Sequence, residues 1–255
     1  MAGVFITRGM TITIPAGGLR ISVGAEGAEP TVTLHVHFDV CPTWCELAMR
    51  HLEAAKAAAE ARKIAWQTAE DTPAANDAKA IALEKEFEAS MQAVMVAAIA
   101  VDALYAVLQE HIEIPEELLK KWRDRRTARY SQVAEVIRRA FNLKRNGVRL
   151  LLENLKKLYR LRDLAVHPSG KVQEALLHPE LGVGVEWRFV YFRADISEGA
   201  VNAATAIIWD LAFQGKPVSD QTANYLTGLR TRLNDLFPQG HPLVKRHAAD
   251  TQSCV

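Results

Sequence analysis

The stretch MQAVMVAAIAVDALYAVL, residues 91–108, decides the fold class, because its apolar residues cover almost every side of a helix. The pattern does not alternate as a strand does, and it predicts one long helix that ends near Ile112. A helix that is apolar nearly all round is buried by its neighbours. We therefore expect a mainly helical protein built around this segment.

Helical periodicity continues on both sides of this core helix. Thr43 is a predicted N-cap, Glu46 completes a capping box, and the Ala-rich run that follows extends to about Ala69. Residues 71–77 interrupt the pattern. A short helix is expected after Pro115, and longer ones at about 127–141, 148–165, 197–213 and 219–236. The helix at 148–165 is amphipathic, with Leu residues on its core side.

The first forty residues alternate apolar and polar side chains, which predicts strands at 10–14, 19–23 and 31–39. The third strand has Val32, Leu34, Val36 and Phe38 on one face, and a further β-like segment covers 184–192. We expect a helical bundle with a small N-terminal antiparallel β meander and additional C-terminal helices. The meander, residues 1–41, is expected to pack on the helical domain 42–237, and a flexible polar tail covers 238–255.

Composition gives a general picture of a globular protein. The chain has 255 residues, 49% hydrophobic and 24% charged. It has no run of 18 uninterrupted apolar residues, and its N-terminus lacks the features of a signal peptide, so neither a membrane span nor secretion is expected. The three cysteines Cys41, Cys45 and Cys254 cannot form a disulfide framework. These features predict a cytoplasmic location.

The net charge of +1 hides a strongly basic segment. Residues 120–162 carry fifteen Lys or Arg against three acidic residues, a local net charge of +12. Such a segment is typical of a protein that binds a phosphate-bearing partner. The alternative is a set of solvated helix faces whose charges pair with acidic neighbours.

Arg162 and His167 are the residues best suited to chemistry, since they lie near the end of a predicted helix, just before Pro168. A guanidinium binds phosphate through a planar fork, and an imidazole transfers protons near neutral pH. On a regular helix the two side chains point about 140° apart, so a turn at Pro168 is needed to bring them together. The spacing alone is a weak signal, because a histidine at a helix end is often only a cap.

The stretch LYRLRDLAVHPSG, residues 158–170, resembles the signature of the HEPN superfamily (higher eukaryotes and prokaryotes nucleotide-binding). The matching positions are Arg162, the polar Asp163, and His167 followed by Pro168. The apolar helix 91–105 resembles the first core helix of many bacterial members, and the likeness covers about residues 90–170. It implies a HEPN-like four-helix bundle and a homodimer with a site at the dimer cleft.

The same resemblance implies a metal-independent endoribonuclease without a cofactor, as in RNA-cleaving toxins and phage-defence effectors. His167 would transfer protons around ribose 2′-hydroxyl attack to give a 2′,3′-cyclic phosphate, Arg162 would stabilise the phosphate, and Asp163 would orient the pair or contact RNA. The basic segment then becomes the RNA-binding surface. Its expected contact residues are Arg138, Arg139, Lys144, Arg145, Arg149, Lys156, Lys157 and Arg160, with Tyr159 stacking on a base.

Three alternatives stay open. One is a non-catalytic HEPN-like module that binds RNA, a nucleotide or a protein partner such as an antitoxin. Another is a plain structural helical protein. The third is a zinc site formed by His35, His37, Cys41 and Cys45. The two cysteines are spaced as Cys-x₃-Cys across a strand–helix junction, which is not a standard zinc spacing, and we expect no metal.

Overall fold

The computed structural model describes residues 5–14, 19–20, 31–67, 71–167 and 172–244, and the chain forms two compact units, Met1–Val40 and Cys41–Val255. The second unit is helical. Its long helices are α1 (Cys41–Gln67) and α2 (Pro73–Glu110), which pack against each other more extensively than any other pair. The elements that follow are α3 (Glu116–Asp124), α4 (Arg129–Phe141), α5 (Arg145–Val166), β5 (Leu176–Leu177), β6 (Gly184–Val185), α6 (Arg188–Tyr191), α7 (Ala194–Phe213) and α8 (Asp220–Leu236). The mainly helical fold class is thereby confirmed.

Helix α2 is the centre of this unit. It contacts α1, α4, α5 and α7, and Val94, Val101, Leu104 and Leu108 are completely buried, as the sequence predicts. By length and composition α2 is apolar enough to cross a membrane. However, 56% of its most apolar window is buried inside the protein, and the core helix of a soluble protein passes the same test.

The helix starts follow local capping chemistry. The Thr72 hydroxyl accepts a hydrogen bond from the Ala75 N–H at 3.2 Å, and Pro73 occupies the first turn of α2. Helix α1 starts at Cys41, so Thr43 lies inside its first turn. The predicted Thr43 cap and its capping box are therefore wrong. Proline suits a first turn, where no backbone N–H partner is required, and Pro42 allows this earlier start.

The predicted strand at 184–192 is also wrong over most of its length. Only Gly184 and Val185 pair with β5, and the chain then makes the helical turn α6. The Glu186 carboxylate accepts the Arg188 N–H at 2.8 Å, while Trp187 and Phe192 are buried. Local capping and aromatic burial outweigh the strand propensity of this segment.

A buried ion pair joins α1, α2 and the start of α7. Arg62 and Glu86 are 1% and 2% exposed and are hydrogen-bonded to each other. Glu86 also accepts the Ala194 N–H at 3.1 Å, and the Glu180 carboxylate lies 2.8 Å from Arg62 Nη2. A buried charge needs such partners, so this cluster fixes where α7 begins against the two long helices.

The last described segment also packs on the helical unit. His241 is 1% exposed, and its Nε2 lies 2.9 Å from Thr205 Oγ1 in α7. The first part of the segment predicted as a flexible tail is therefore docked, whereas 245–255 lie outside the described residues.

In the N-terminal unit, β1 (Met10–Thr13) pairs antiparallel with β4 (His35–Phe38), and β2 (Leu19–Arg20) pairs with β3 (Thr31–Val32). The antiparallel pairing is as predicted, but the meander is wrong, because in a meander the first strand pairs with the second, and β1 does not pair with β2. Instead, the single returning stretch 31–38 pairs with both outgoing strands. Val36 and Phe38 are 43% and 41% exposed. Packing of this unit on the helical domain stays a prediction.

Candidate functional site

Arg162 lies on the side of α5 that faces α2. Its Nη2 is 3.9 Å from Asp102 Oδ2, and its Nη1 is 3.1 Å from Asp163 Oδ1. Its Cζ lies 5.2 Å from the ring centroid of Tyr159, and the side chain is 24% exposed. Two carboxylates and an aromatic ring therefore hold the guanidinium in place.

Asp102 is the centre of this arrangement and connects three helices. Its Oδ1 accepts the Arg129 Nε–H of α4 at 2.7 Å and the Tyr159 hydroxyl of α5 at 2.8 Å. Tyr159 is 1% exposed, and burial, together with the charge of Asp102, raises the pKa of its phenol well above the ordinary value. Tyr159 is thus a neutral hydrogen-bond donor to Asp102.

Arg129 is the first residue of α4 and is backed by a second tyrosine. Its Cζ lies 3.9 Å from the ring centroid of Tyr105. Burial lowers the pKa of Arg129, but the hydrogen bond and charge of Asp102 outweigh burial and leave the pKa above its ordinary value. Two guanidiniums, those of Arg129 and Arg162, therefore flank one carboxylate.

His167 differs from Arg162 in both its exposure and its direction. It is exposed and forms the C-cap of α5, with its N–H donated to the Asp163 carbonyl at 2.9 Å. Because α5 is regular to Val166, Arg162 and His167 leave the axis about 140° apart. Up to His167, the last described residue of this segment, no turn brings the imidazole towards the guanidinium of the same chain.

Four exposed cations lie on the same side of α5 as His167. Arg145, Arg149, Lys156 and Arg160 lie within an arc of about 60° that also contains His167, by the rotation of 100° per residue. We call these four residues the basic stripe. Within the described part of the chain none of the four has an ion-pair partner. Lys144 and Lys157 are exposed too, outside this arc.

Three of the predicted RNA contacts have other roles in the structure. Arg138 and Arg139 both lie 2.7 Å from the Glu135 carboxylate, so they share one acidic partner within α4. Tyr159 is buried, and the expectation that its ring stacks on a base is wrong. A buried phenol instead supports Arg162 and Asp102.

The sequence analysis missed Asp102, Arg129 and Tyr105. Asp102 carries a detectable signal, since it is the one charged residue in the apolar stretch 91–108, and a charge on a buried helix requires a partner. Arg129 belongs to the basic segment, but nothing local distinguishes it from the other arginines there. Its role depends on α4 meeting α2, which is a long-range contact.

A metal centre finds no support in the described ranges, which hold no group of three His, Cys, Asp or Glu residues able to bind a metal ion. His35 and His37 are exposed on β4, and Cys41 and Cys45 are buried in α1.

Comparison of the chain with protein-family models, curated proteins and solved structures found no match. The likeness to the HEPN superfamily therefore rests on residues 91–105 and 158–170 alone. What it implies about RNA and catalysis enters below as a proposal.

Proposed function

We propose that this protein is a HEPN-like endoribonuclease that binds RNA along the basic stripe and cleaves it beside His167. The observation that supports the proposal is the line of four exposed cations, without an ion-pair partner among the described residues, that leads to an exposed imidazole. From Arg145 to His167 this line is about 30 Å long, at 1.5 Å per residue. Cations on one helix face can contact several successive phosphates of a nucleic acid.

In the proposed reaction, His167 removes the proton of a ribose 2′-hydroxyl, and the 2′-oxygen attacks the adjacent phosphorus. The phosphorus–O5′ bond breaks, leaving a 2′,3′-cyclic phosphate and a 5′-hydroxyl, and a second imidazole donates a proton to the leaving oxygen. Arg162 stabilises the negative charge on the phosphate, and Asp163 orients Arg162. The metal-independent route follows from the family likeness.

The different directions of Arg162 and His167 favour a homodimer. Because one chain presents a single imidazole on one side of α5 and its guanidinium on another, we propose that a second copy completes the site. Arg162 of one copy then lies beside His167 of the other. The family likeness places such an enzyme in the cytoplasm, as a toxin or phage-defence effector controlled by an antitoxin or regulatory protein.

The alternative is a non-catalytic RNA-binding module. It is favoured by one observation, the two ion pairs that Arg162 already makes with Asp102 and Asp163. A guanidinium held in this way can serve stability alone, while the basic stripe still binds RNA.

The test incubates the full chain with labelled, mixed-sequence single-stranded RNA in EDTA, beside Arg162→Ala and His167→Ala variants. His37→Ala is the matched control, because His37 is also exposed but lies on β4. We expect parental and control proteins to give 2′,3′-cyclic phosphate ends and both site variants to lose cleavage. Excess His167→Ala protein mixed with the parent should lower cleavage if the site is shared between copies, because mixed dimers then carry a single imidazole.

Each other outcome is decisive. RNA binding without cleavage by the parent supports the binding module and refutes the enzyme. Unchanged cleavage by His167→Ala refutes the assignment of the catalytic pair. A parent that neither binds nor cleaves RNA refutes both functions. Expression in a bacterial host adds the cellular readout, since a toxin arrests growth only when His167 is intact.

A further inference from the structure

Two arginines flank the Asp102 carboxylate, and both keep hydrogen-bond donors for a ligand. The Nε–H of Arg129 donates a hydrogen bond to Asp102 Oδ1, and its two Nη groups make no hydrogen bond with the described residues. Arg162 has two ion pairs in the described part of the chain, and neither has hydrogen-bond geometry. The side chains are 38% and 24% exposed, so both guanidiniums reach solvent.

Both guanidiniums are also preorganised. The Tyr105 ring lies 3.9 Å from Cζ of Arg129, and the Tyr159 ring lies 5.2 Å from Cζ of Arg162. Together with Asp102 these rings limit how far each guanidinium can rotate. A planar fork held in a fixed orientation binds a phosphate oxygen pair with less loss of side-chain entropy than a free arginine.

The charges around Arg129 favour a polyanion. Arg123, Arg125 and Arg126 are exposed in the segment that leads into α4. The N-cap residue Ala128 has no polar side chain to bond the first N–H groups of α4, so the positive end of the helix dipole stays open beside Arg129. Arg160 of the basic stripe lies two residues before Arg162 on α5.

We infer that Arg129 is a second phosphate-binding residue, which holds a phosphodiester of the RNA next to the one held by Arg162. Asp102 is then a positioning residue that sets both guanidiniums. The inference rests on the proposed RNA-binding function and extends the RNA surface from α5 to the start of α4. The ligand class is the phosphodiester backbone of the RNA, because no contact to a base is required.

The test measures how the Kd of the full chain for fluorescein-labelled, mixed-sequence single-stranded RNA depends on salt. Each phosphate contact contributes about 0.7 to the slope of log K against log salt for a single strand. Arg129→Gln should therefore lower the slope by about 0.7, whereas Arg129→Lys keeps the charge and the slope. A purely structural role for Arg129 would change stability without changing this slope.

Arg188→Gln is the matched control. Arg188 is 30% exposed, lies 2.9 Å from the Glu186 carboxylate and has its Cζ 4.8 Å from the Trp187 ring, so it shares the environment of Arg129 but not its location. Its slope should equal that of the parent. An unchanged slope in Arg129→Gln, with a lower slope in Arg160→Gln, overturns the inference and leaves RNA binding standing. A parent that does not bind RNA overturns both.

A second measurement covers the case in which Arg129→Gln does not fold. The Nε–H signal of Arg129 in the parent NMR spectrum is assigned as the one that disappears in Arg129→Lys. It should shift when the same RNA is added, because the guanidinium gains a phosphate. A signal that does not move at saturating RNA overturns the inference.

Discussion

Replacing Asp102 by alanine should destabilise the protein well beyond what an exposed carboxylate contributes. The substitution removes the acceptor of the Tyr159 hydroxyl and of Arg129 Nε, and it removes one of the two carboxylates beside Arg162. These three partners lie on two other helices, so the substitution weakens the packing of α4 and α5 on α2.

The magnitude follows from how buried each partner is. Tyr159 is 1% exposed, and a buried hydroxyl left without an acceptor costs about 1–3 kcal/mol. The two arginine pairs are partly exposed and add at most about 1 kcal/mol each. The free energy of unfolding should therefore fall by roughly 1–5 kcal/mol. At about 2–4 °C per kcal/mol, Tm should fall by roughly 2–20 °C.

Urea unfolding followed by circular dichroism measures this loss, and a double-mutant cycle assigns it. In a Tyr159→Phe background no hydroxyl is left unsatisfied, so Asp102→Ala should cost about 1–2 kcal/mol less than in the parent. Asp163→Ala is the matched control, because Asp163 pairs with the same Arg162 but is 57% exposed, and it should cost at most about 1 kcal/mol. Additive effects of Asp102→Ala and Tyr159→Phe would refute the reasoning.

Three further changes should alter stability in stated directions. Burial lowers the pKa of His241 from 6.5 to about 4. The free energy of unfolding should therefore decline by up to about 3 kcal/mol as the pH falls from 6.5 to 4, because the unfolded chain takes up the proton first. The decline should be smaller in His241→Gln. Glu86→Ala leaves the charge of Arg62 buried with Glu180 as its remaining carboxylate partner and should cost about 3 kcal/mol in urea unfolding. Gly215→Ala places a methyl group 2.6 Å from the Phe141 ring and should cost about 1–3 kcal/mol.

Each of these predictions has a control in the same chain. A His241→Gln variant with the same pH dependence as the parent would contradict the first. Glu198→Ala removes a pair with Lys56 at 3.0 Å that is 46% exposed, and an equal loss in Glu86→Ala would contradict the second. Gly228→Ala adds a methyl group that meets nothing within 4 Å inside α8 and should be neutral or stabilising. A neutral Gly215→Ala would contradict the third.

Hydrophobic periodicity predicted the helices well because the apolar residues that recur at helical spacing are the ones that the core buries. The apolar pattern of residues 91–108 corresponds to the buried part of α2, and Leu151, Leu155 and Leu158 of α5 are buried on the expected side. Such burial is visible in a single segment. The start of α8 is likewise decided locally, because the Ser219 hydroxyl accepts the Thr222 N–H at 3.2 Å.

The errors arose where a contact from another segment decides the local structure. Residues 184–192 carry strand-forming residues, but burial of Trp187 and Phe192 turns them into a helical turn. The strands of the N-terminal unit were identified, but their pairing depends on which segments meet, and alternation does not encode partners. The sequence also placed His241 in a polar tail, because its contact with Thr205 of α7 is between distant segments and leaves no local pattern.

The residues of the candidate site also form two groups, those placed by a local pattern and those placed by a contact with a distant segment. His167 and three members of the basic stripe, Arg149, Lys156 and Arg160, follow from the period of the helix predicted at 148–165, so sequence alone could place them on one face. Arg145 joins them because α5 begins three residues earlier than predicted. The position of Arg162 depends on Asp102, 60 residues earlier in the chain, and on Tyr159 beneath it. A change at Asp102 therefore acts on the guanidiniums of Arg129 and Arg162 and leaves the stripe untouched. In the proposed enzyme, RNA affinity that depends on the stripe and cleavage that depends on Arg162 are consequently separable, and the proposed binding module would lack only the cleavage.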